Sequence, residues 1–238
     1  MAARKNMDIL NSKLVRFSIL GIILALIGTY SYNHYLEAQY ANLYLKNANY
    51  IVQIGMFNQF KTSQADVVML GNSLTYNANW NELLGRKNIA NRGIASDITT
   101  GYLQRLSYVY RLKPKICFIE GGVNDVYANY SASDIFFNYT KIIDTLRAHQ
   151  IIPIIQSTLF VASKREKSQT KNEEIRKLDK LLFEYARKQA IEYLNINSLV
   201  SQNGFLKNDL TYDGIHLNAE GYSFWVPEVE KVLIKYGL

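Results

Sequence analysis

Beyond residue 65 the chain alternates short β-rich runs with longer stretches in which apolar positions recur three and four apart. The short runs lie at 67–70, 88–91, 116–119, 151–156 and 192–196, and their branched, apolar character predicts strands buried on both faces. The longer stretches at 99–111, 133–149, 172–189 and 219–236 predict amphipathic helices. The last is opened by Asn218 as an N-cap and carries Pro227 inside it. Strand and helix in strict alternation predict an α/β domain whose parallel sheet is covered on both faces. Ligands in such sheets bind outside the carboxyl ends of the strands, so chemistry is expected just after each apolar run.

The pattern is different upstream. No charged residue stands between Arg16 and Glu37, and 14–35 is long enough to cross a hydrocarbon core. Arg4, Lys5, Lys13 and Arg16 precede it with only Asp8 opposing, whereas the next basic residue is Lys46. This asymmetry predicts a cytoplasmic tail (1–13), a single transmembrane anchor (14–35) and an extracytoplasmic remainder, with Tyr30, Tyr32 and Tyr35 at the exit level. A cleaved signal peptide fits less well, because Leu36, Glu37 and Ala38 do not form a small-x-small site. Between anchor and first strand, Leu36, Tyr40, Leu43, Ile51, Ile54 and Phe57 recur at roughly helical spacing. The segment 36–64 therefore reads as a juxtamembrane helical linker before a domain at 65–238. Periodicity leaves open whether that helix packs on the domain, lies on the bilayer or forms a dimer contact.

Composition narrows the possibilities. The net charge of +7 does not mark a nucleic-acid partner, since Lys and Arg are scattered and the densest run, 164–180, is interleaved with Glu166, Glu173, Glu174 and Asp179. One cysteine, Cys117, excludes a disulfide framework and a thiolate zinc site, and its apolar surroundings predict a buried small hydrophobe.

Four short blocks carry the candidate chemistry. The first run leads directly into Gly71, Asn72 and Ser73, where a sharp turn would present a hydroxyl at the start of a helix. Taken alone, this is also how an N-cap looks. Three histidines are available as a base. His34 falls in the membrane segment and His149 closes a helix, which leaves His216 in Asp213-Gly214-Ile215-His216. Asp213 can reach back across that turn to accept the Nδ1 proton, leaving Nε2 free for Ser73. A capping Asp beside a surface His is the alternative. The second and third runs are followed by Asn91-Arg92-Gly93 and by Gly122-Val123-Asn124-Asp125. The amides of Ser73 and Gly93 and the side chain of Asn124 would together make a three-donor oxyanion hole, although each block alone also fits a plain turn or cap.

In this order and placement the blocks resemble the SGNH hydrolases, a branch of the GDSL lipase and acylhydrolase family, over about 66–236. The resemblance implies a three-layer α/β/α sandwich of flavodoxin-like type with a five-stranded parallel sheet, and no metal or cofactor. It also implies a Ser73–His216–Asp213 triad with Ser73, Gly93 and Asn124 as oxyanion donors. Asn72 departs from the usual Asp before the nucleophile, and Ala95 and Ser96 stand where further glycines are common.

The activity so implied is hydrolysis of a short O-acyl ester, acetyl above all, on a carbohydrate or glycan outside the cytoplasm. Tyr76, Trp80, Tyr127, Tyr130 and Tyr212, interspersed with Asn77, Asn79 and Asn129, are expected to line the crevice. Rings with polar edges suit a sugar better than a methylene chain. Acyl transfer to an envelope polymer, a lysophospholipase or thioesterase, and a catalytically silent binding module are the competing readings.

Overall fold

The computed structural model describes residues 42–238 together with Gly21, Leu24, Ile27, Gly28, Ser31 and Tyr40. The predicted tail and anchor, 1–35, otherwise lie outside the described residues. Among the described residues no helix is long and apolar enough to cross a membrane. The chain forms two compact units, one ending at Leu43 and one spanning Tyr44–Leu238; the second holds the elements that follow.

In chain order these are α1 (Ala48–Gln59), β1 (Val67–Gly71), α2 (Ser73–Tyr76), α3 (Trp80–Leu84), β2 (Ile89–Gly93), α4 (Thr99–Gln104), α5 (Ser107–Tyr110), β3 (Ile116–Ile119), α6 (Val123–Tyr127), α7 (Ala132–Ala148), β4 (Ile152–Gln156), α8 (Ser168–Gln189), β5 (Glu192–Leu194), α9 (Asn197–Val200), the short strands β6 (Ser201–Gln202) and β7 (Phe205–Leu206), and α10 (Ala219–Lys235). Five strands pair in parallel in the order β2-β1-β3-β4-β5, and β6 and β7 form a separate antiparallel pair. The crossovers place helices on both faces, giving the three-layer α/β/α sandwich.

Alternation sorts the strand residues. Val67 and Met69 of β1, Ile116 and Phe118 of β3, and Ile154 of β4 share one core with Leu74, Trp80, Trp225, Val229 and Leu233, so α3 and α10 cover this face. Val68, Leu70, Cys117, Ile119 and Ile155 point the other way and are fully buried. Asn218 caps α10 by accepting from Gly221 N. Pro227 sits within α10, where the acceptor it deprives, the Ser223 carbonyl, belongs to an exposed residue that water can reach.

Two expectations change. The segment 36–64, read as a linker, has its 44–64 portion inside the compact unit. Asn47 caps α1 and donates from Nδ2 to the Ala95 carbonyl (2.8 Å), while Tyr50 and Phe57 bury against Ile94. Of the three arrangements left open for α1, packing on the domain is the one observed.

The single helix expected at 99–111 is two short ones. The chain leaves helical conformation at Arg105, whose amide closes back on the Tyr102 carbonyl and whose side chain turns inward. There Nε pairs with Asp97 Oδ2 (2.7 Å), Nη1 donates to the Arg92 carbonyl (2.5 Å) and Nη2 to the Gly71 carbonyl (2.9 Å), all fully buried. Replacing one partner of a buried pair strands the other charge. Arg105→Met and Asp97→Asn are therefore each expected to lower stability by about 3–5 kcal/mol in urea unfolding, the second because the buried guanidinium keeps its charge with no counter-charge.

Candidate active site

Ser73 is the first residue of α2. Asn72, its N-cap, accepts from Leu74 N (2.8 Å), and Gly71 brings β1 so close to α2 that a Cβ there would lie 2.0 Å from Thr75 Oγ1. As the first helical residue, Ser73 has an amide with no intrahelical acceptor. The nucleophile turn is thus built from a glycine that permits the approach and an asparagine that starts the helix.

His216 reaches this serine from a loop 143 positions away in sequence. Its Nε2 lies 2.9 Å from Ser73 Oγ and its Nδ1 2.6 Å from Asp213 Oδ2. Gly214 takes φ +92°, a conformation that favours glycine, so Asp213 Oδ1 can accept from both Ile215 N (2.9 Å) and His216 N (2.8 Å). Thr211 Oγ1 accepts from Gly214 N and donates to the His216 carbonyl, closing the loop on itself. Partial burial alone would raise the Asp213 pKa, but the hydrogen bonds from His216 and Ile215 outweigh it and hold the carboxyl at about 2. An ionised Asp213 keeps the proton on Nδ1 and turns the free Nε2 lone pair toward Ser73.

One of the three expected oxyanion donors is engaged elsewhere. Gly93 N–H donates to Asn91 Oδ1 (2.8 Å) and is not free. Gly93 has a steric reason to be glycine: a Cβ would come within 2.3 Å of Tyr76 N and 2.9 Å of the Asn72 carbonyl, so β2 could not approach the nucleophile helix. Two amides in this loop, those of Ala95 and Ser96, donate no hydrogen bond among the described residues, and of the two Ser96 is the exposed residue, at φ +60°. Asn124, in the first turn of α6, donates from Nδ2 to the Asp97 carbonyl (2.9 Å) beside Ser96 and keeps a second amide hydrogen. Neighbouring Asp125 is buried, and its Oδ1 accepts from the amide (2.9 Å) and hydroxyl (2.5 Å) of Thr99, anchoring the start of α4.

The aromatic set divides. Tyr76 on α2 and Tyr212 are exposed, and Tyr212 stacks on the His216 ring with centroids 5.7 Å apart and planes 12° off parallel. Tyr127 is half-buried, its hydroxyl donating to the Glu166 carbonyl (3.3 Å) and Lys171 lying over its ring. Trp80 and Tyr130 do not line a crevice. Trp80 is 1% exposed, donates from Nε1 to the Thr75 carbonyl (3.0 Å) and packs edge-on against Trp225, because a large ring on α3 faces the sheet. Tyr130 is turned inward and buried.

His149 ends α7 and stacks on Tyr110, and burial pushes the Cys117 thiol far up, so the thiol offers no nucleophile. Among the described residues no group of three His, Cys, Asp or Glu could hold a metal ion.

A serine at a strand-to-helix turn, backed by an oriented histidine and an ionised aspartate on an α/β/α sheet, defines a serine hydrolase. A model of the GDSL-like lipase/acylhydrolase family matches residues 69–224, and the chain belongs to that family, the SGNH hydrolases, as an esterase or acylhydrolase. Its fold is similar to a GDSL-like lipase of Bacteroides thetaiotaomicron (TM-score 0.69, 23% identity, covering 79% of this chain and 98% of that one). It is also similar to the lipase/acylhydrolase of Enterococcus faecalis (TM-score 0.59, 21% identity, 71% and 95%). In sequence it is 32% identical over 123 residues to an N-acylneuraminate cytidylyltransferase of Streptococcus agalactiae, covering 48% of this chain but only 28% of that protein. The chain thus matches little more than a quarter of the length of these curated relatives.

The two loop positions make opposite predictions. Gly93→Ala should lower both the melting temperature and the esterase rate, the latter by about a hundredfold, because a methyl there displaces the nucleophile turn by ångström-scale distances. Ser96→Gly keeps the amide and relieves a left-handed serine, so its rate should stay within about threefold and its melting temperature should not fall. Thermal melts and 4-nitrophenyl acetate hydrolysis on the two variants check both.

Proposed function

We propose that this protein removes short O-acyl groups, acetyl above all, from a carbohydrate through an acyl-enzyme on Ser73. The observation that carries the mechanism is the continuous Ser73 Oγ, His216 Nε2, His216 Nδ1, Asp213 Oδ2 chain, with links of 2.9 and 2.6 Å. His216 takes the Ser73 proton as Oγ attacks the ester carbonyl carbon. The oxyanion that forms is received by the amides of Ser73 and Ser96 and the remaining Asn124 side-chain hydrogen. Collapse breaks the bond to the leaving alcohol, which takes the proton from His216. Water then attacks the acyl-enzyme with His216 again as base, releasing the carboxylic acid and restoring Ser73. Asp213 stays ionised throughout and stabilises the imidazolium.

The sugar reading is supported by the two exposed rings, Tyr76 one turn from Ser73 and Tyr212 against His216, which offer flat faces with polar tips beside the reacting bond. It is also supported by the relatives in S. agalactiae, whose name refers to an acylated sugar acid. Ser73→Ala and His216→Ala should each lower kcat by about 10⁴-fold or more without adding in the double variant, and Asn124→Ala by about 10²- to 10³-fold with little change in KM. A fluorophosphonate should label the wild type at Ser73 and leave Ser73→Ala unlabelled. Across aryl esters of two to sixteen carbons kcat/KM should fall with chain length, and acetate should be released from acetylated xylan or O-acetylated N-acylneuraminate. A rise toward long chains with no acetate released would move the substrate to lipids.

We further propose that residues 14–35 anchor the enzyme with its catalytic unit outside the cytoplasm, supported by the charge asymmetry around that segment. The protein should resist carbonate extraction, and a reporter fused after Leu238 should be active only outside the cytoplasm; release as a shortened soluble form would mean cleavage instead.

A further inference from the structure

Beneath the nucleophile turn the α10-facing side of the sheet changes character. Met69, Phe118 and Ile154 form an apolar row across β1, β3 and β4. Two residues further along each strand the same face carries Gly71, Glu120 and Gln156, since Leu70 pairs with Ile119 and Ile119 with Ile155. The space above Gly71 is filled by the Thr75 hydroxyl, so the row reads Thr75, Glu120, Gln156, all 1% exposed or less. Asn72 turns its side-chain amide toward the Glu120 carboxyl, while Trp225 Nε1 donates to Gln156 Oε1 (2.6 Å). Both Glu120 oxygens, Asn72 Nδ2, Thr75 Oγ1 and Gln156 Nε2 are buried and complete no hydrogen bond among the described residues. Such a concentration of unsatisfied polar atoms in a core requires a reason.

We propose that Glu120 is a positioning residue that works as the uncharged acid, holding Asn72 and Thr75 and through them the turn that presents Ser73. A carboxylic acid supplies one O–H and three lone-pair sites, which suits two amide donors and one hydroxyl. Asn72 caps the helix that Ser73 begins, and Tyr222 fixes the far side of that turn by donating to the Leu74 carbonyl (2.5 Å). Among the described residues, the groups that act on Glu120 include no cation. The charged and titratable groups around it among the described residues are Asp179 on α8, Asp125 on α6, Tyr222 on α10, Tyr102 on α4 and Tyr139 on α7; the fully buried guanidinium of Arg105 is committed to Asp97. Burial, then Asp179, push the carboxyl up to about 8, against the pull of Asn72. Ionisation would set an anion behind the amides that receive the oxyanion, so kcat falls as Glu120 loses its proton.

The inference rests on Ser73 being the nucleophile, and the test separates the two. With 4-nitrophenyl acetate and correction for spontaneous hydrolysis, wild-type kcat should drop about tenfold between pH 7 and pH 9.5. Glu120→Gln, neutral at every pH, should hold kcat within about threefold of wild type at pH 7 and remain flat to pH 9.5. Glu120→Asp, one methylene short, should lower kcat with KM little changed. The wild-type minus Glu120→Gln infrared difference spectrum at pH 6.5 should contain a protonated carboxyl band, which separates Glu120 from the buried Asp179 and Asp125. If Glu120→Gln falls with pH as the wild type does, or if no carboxyl band distinguishes the wild type from Glu120→Gln at pH 6.5, the proposal is overturned. Failure of fluorophosphonate to label Ser73 in the wild type would instead overturn the nucleophile assignment.

Discussion

The guanidinium of Arg105 lies buried between the carboxyl ends of β1 and β2. A cation removed from water needs a compensating charge and acceptors for its donors, and here Asp97 supplies the first while the Gly71 and Arg92 carbonyls supply the rest. Those carbonyls stand where the nucleophile turn and the Ser96 loop begin. Asp97 is also shared, since its own carbonyl accepts from Asn124. One ion pair therefore fixes the mutual placement of three of the loops that meet at the site, and the fourth, carrying His216, closes on them through Ser73.

Around Ser73 two carboxyl groups are driven in opposite directions. Asp213 sits in a partly open loop and is held as an anion by amides and an imidazole, whereas Glu120 sits in a closed layer among groups that oppose charge. The contrast is one of surroundings, not of side-chain chemistry. It places negative charge on the histidine side of the serine and keeps it off the side where the substrate oxygen becomes anionic.

The sheet was legible because strands covered on both faces have few polar positions, and the triad because Asp213 and His216 are three residues apart and Ser73 follows a strand directly. What escaped the sequence was set by contacts distant in the chain. Arg105 and Glu120 each occupy a stretch that reads as helix or strand, and no local spacing marks a buried charge. The place of Gly93 after the second strand and the family resemblance point to an amide donor, whereas its necessity lies in the passage of Tyr76 beside it. The left-handed position fell to Ser96, a residue type that gives little warning of it. Tyr76 and Trp80, four positions apart, were equivalent as candidates, and only the packing of α3 on Trp225 separates the exposed ring from the buried one.

The family pattern begins at residue 69, but the compact unit begins at Tyr44. Between them α1 lays Tyr50 and Phe57 over Ile94, and Phe57 and Phe60 over the Arg92 guanidinium at 5.0 and 5.5 Å. The portable enzyme is thus larger than its recognisable motif set. A recombinant fragment trimmed to the motif boundaries would retain the serine, histidine and aspartate yet expose an apolar floor under the Ser96 loop. Its inactivity or insolubility would report a missing buttress and carry no information about the chemistry.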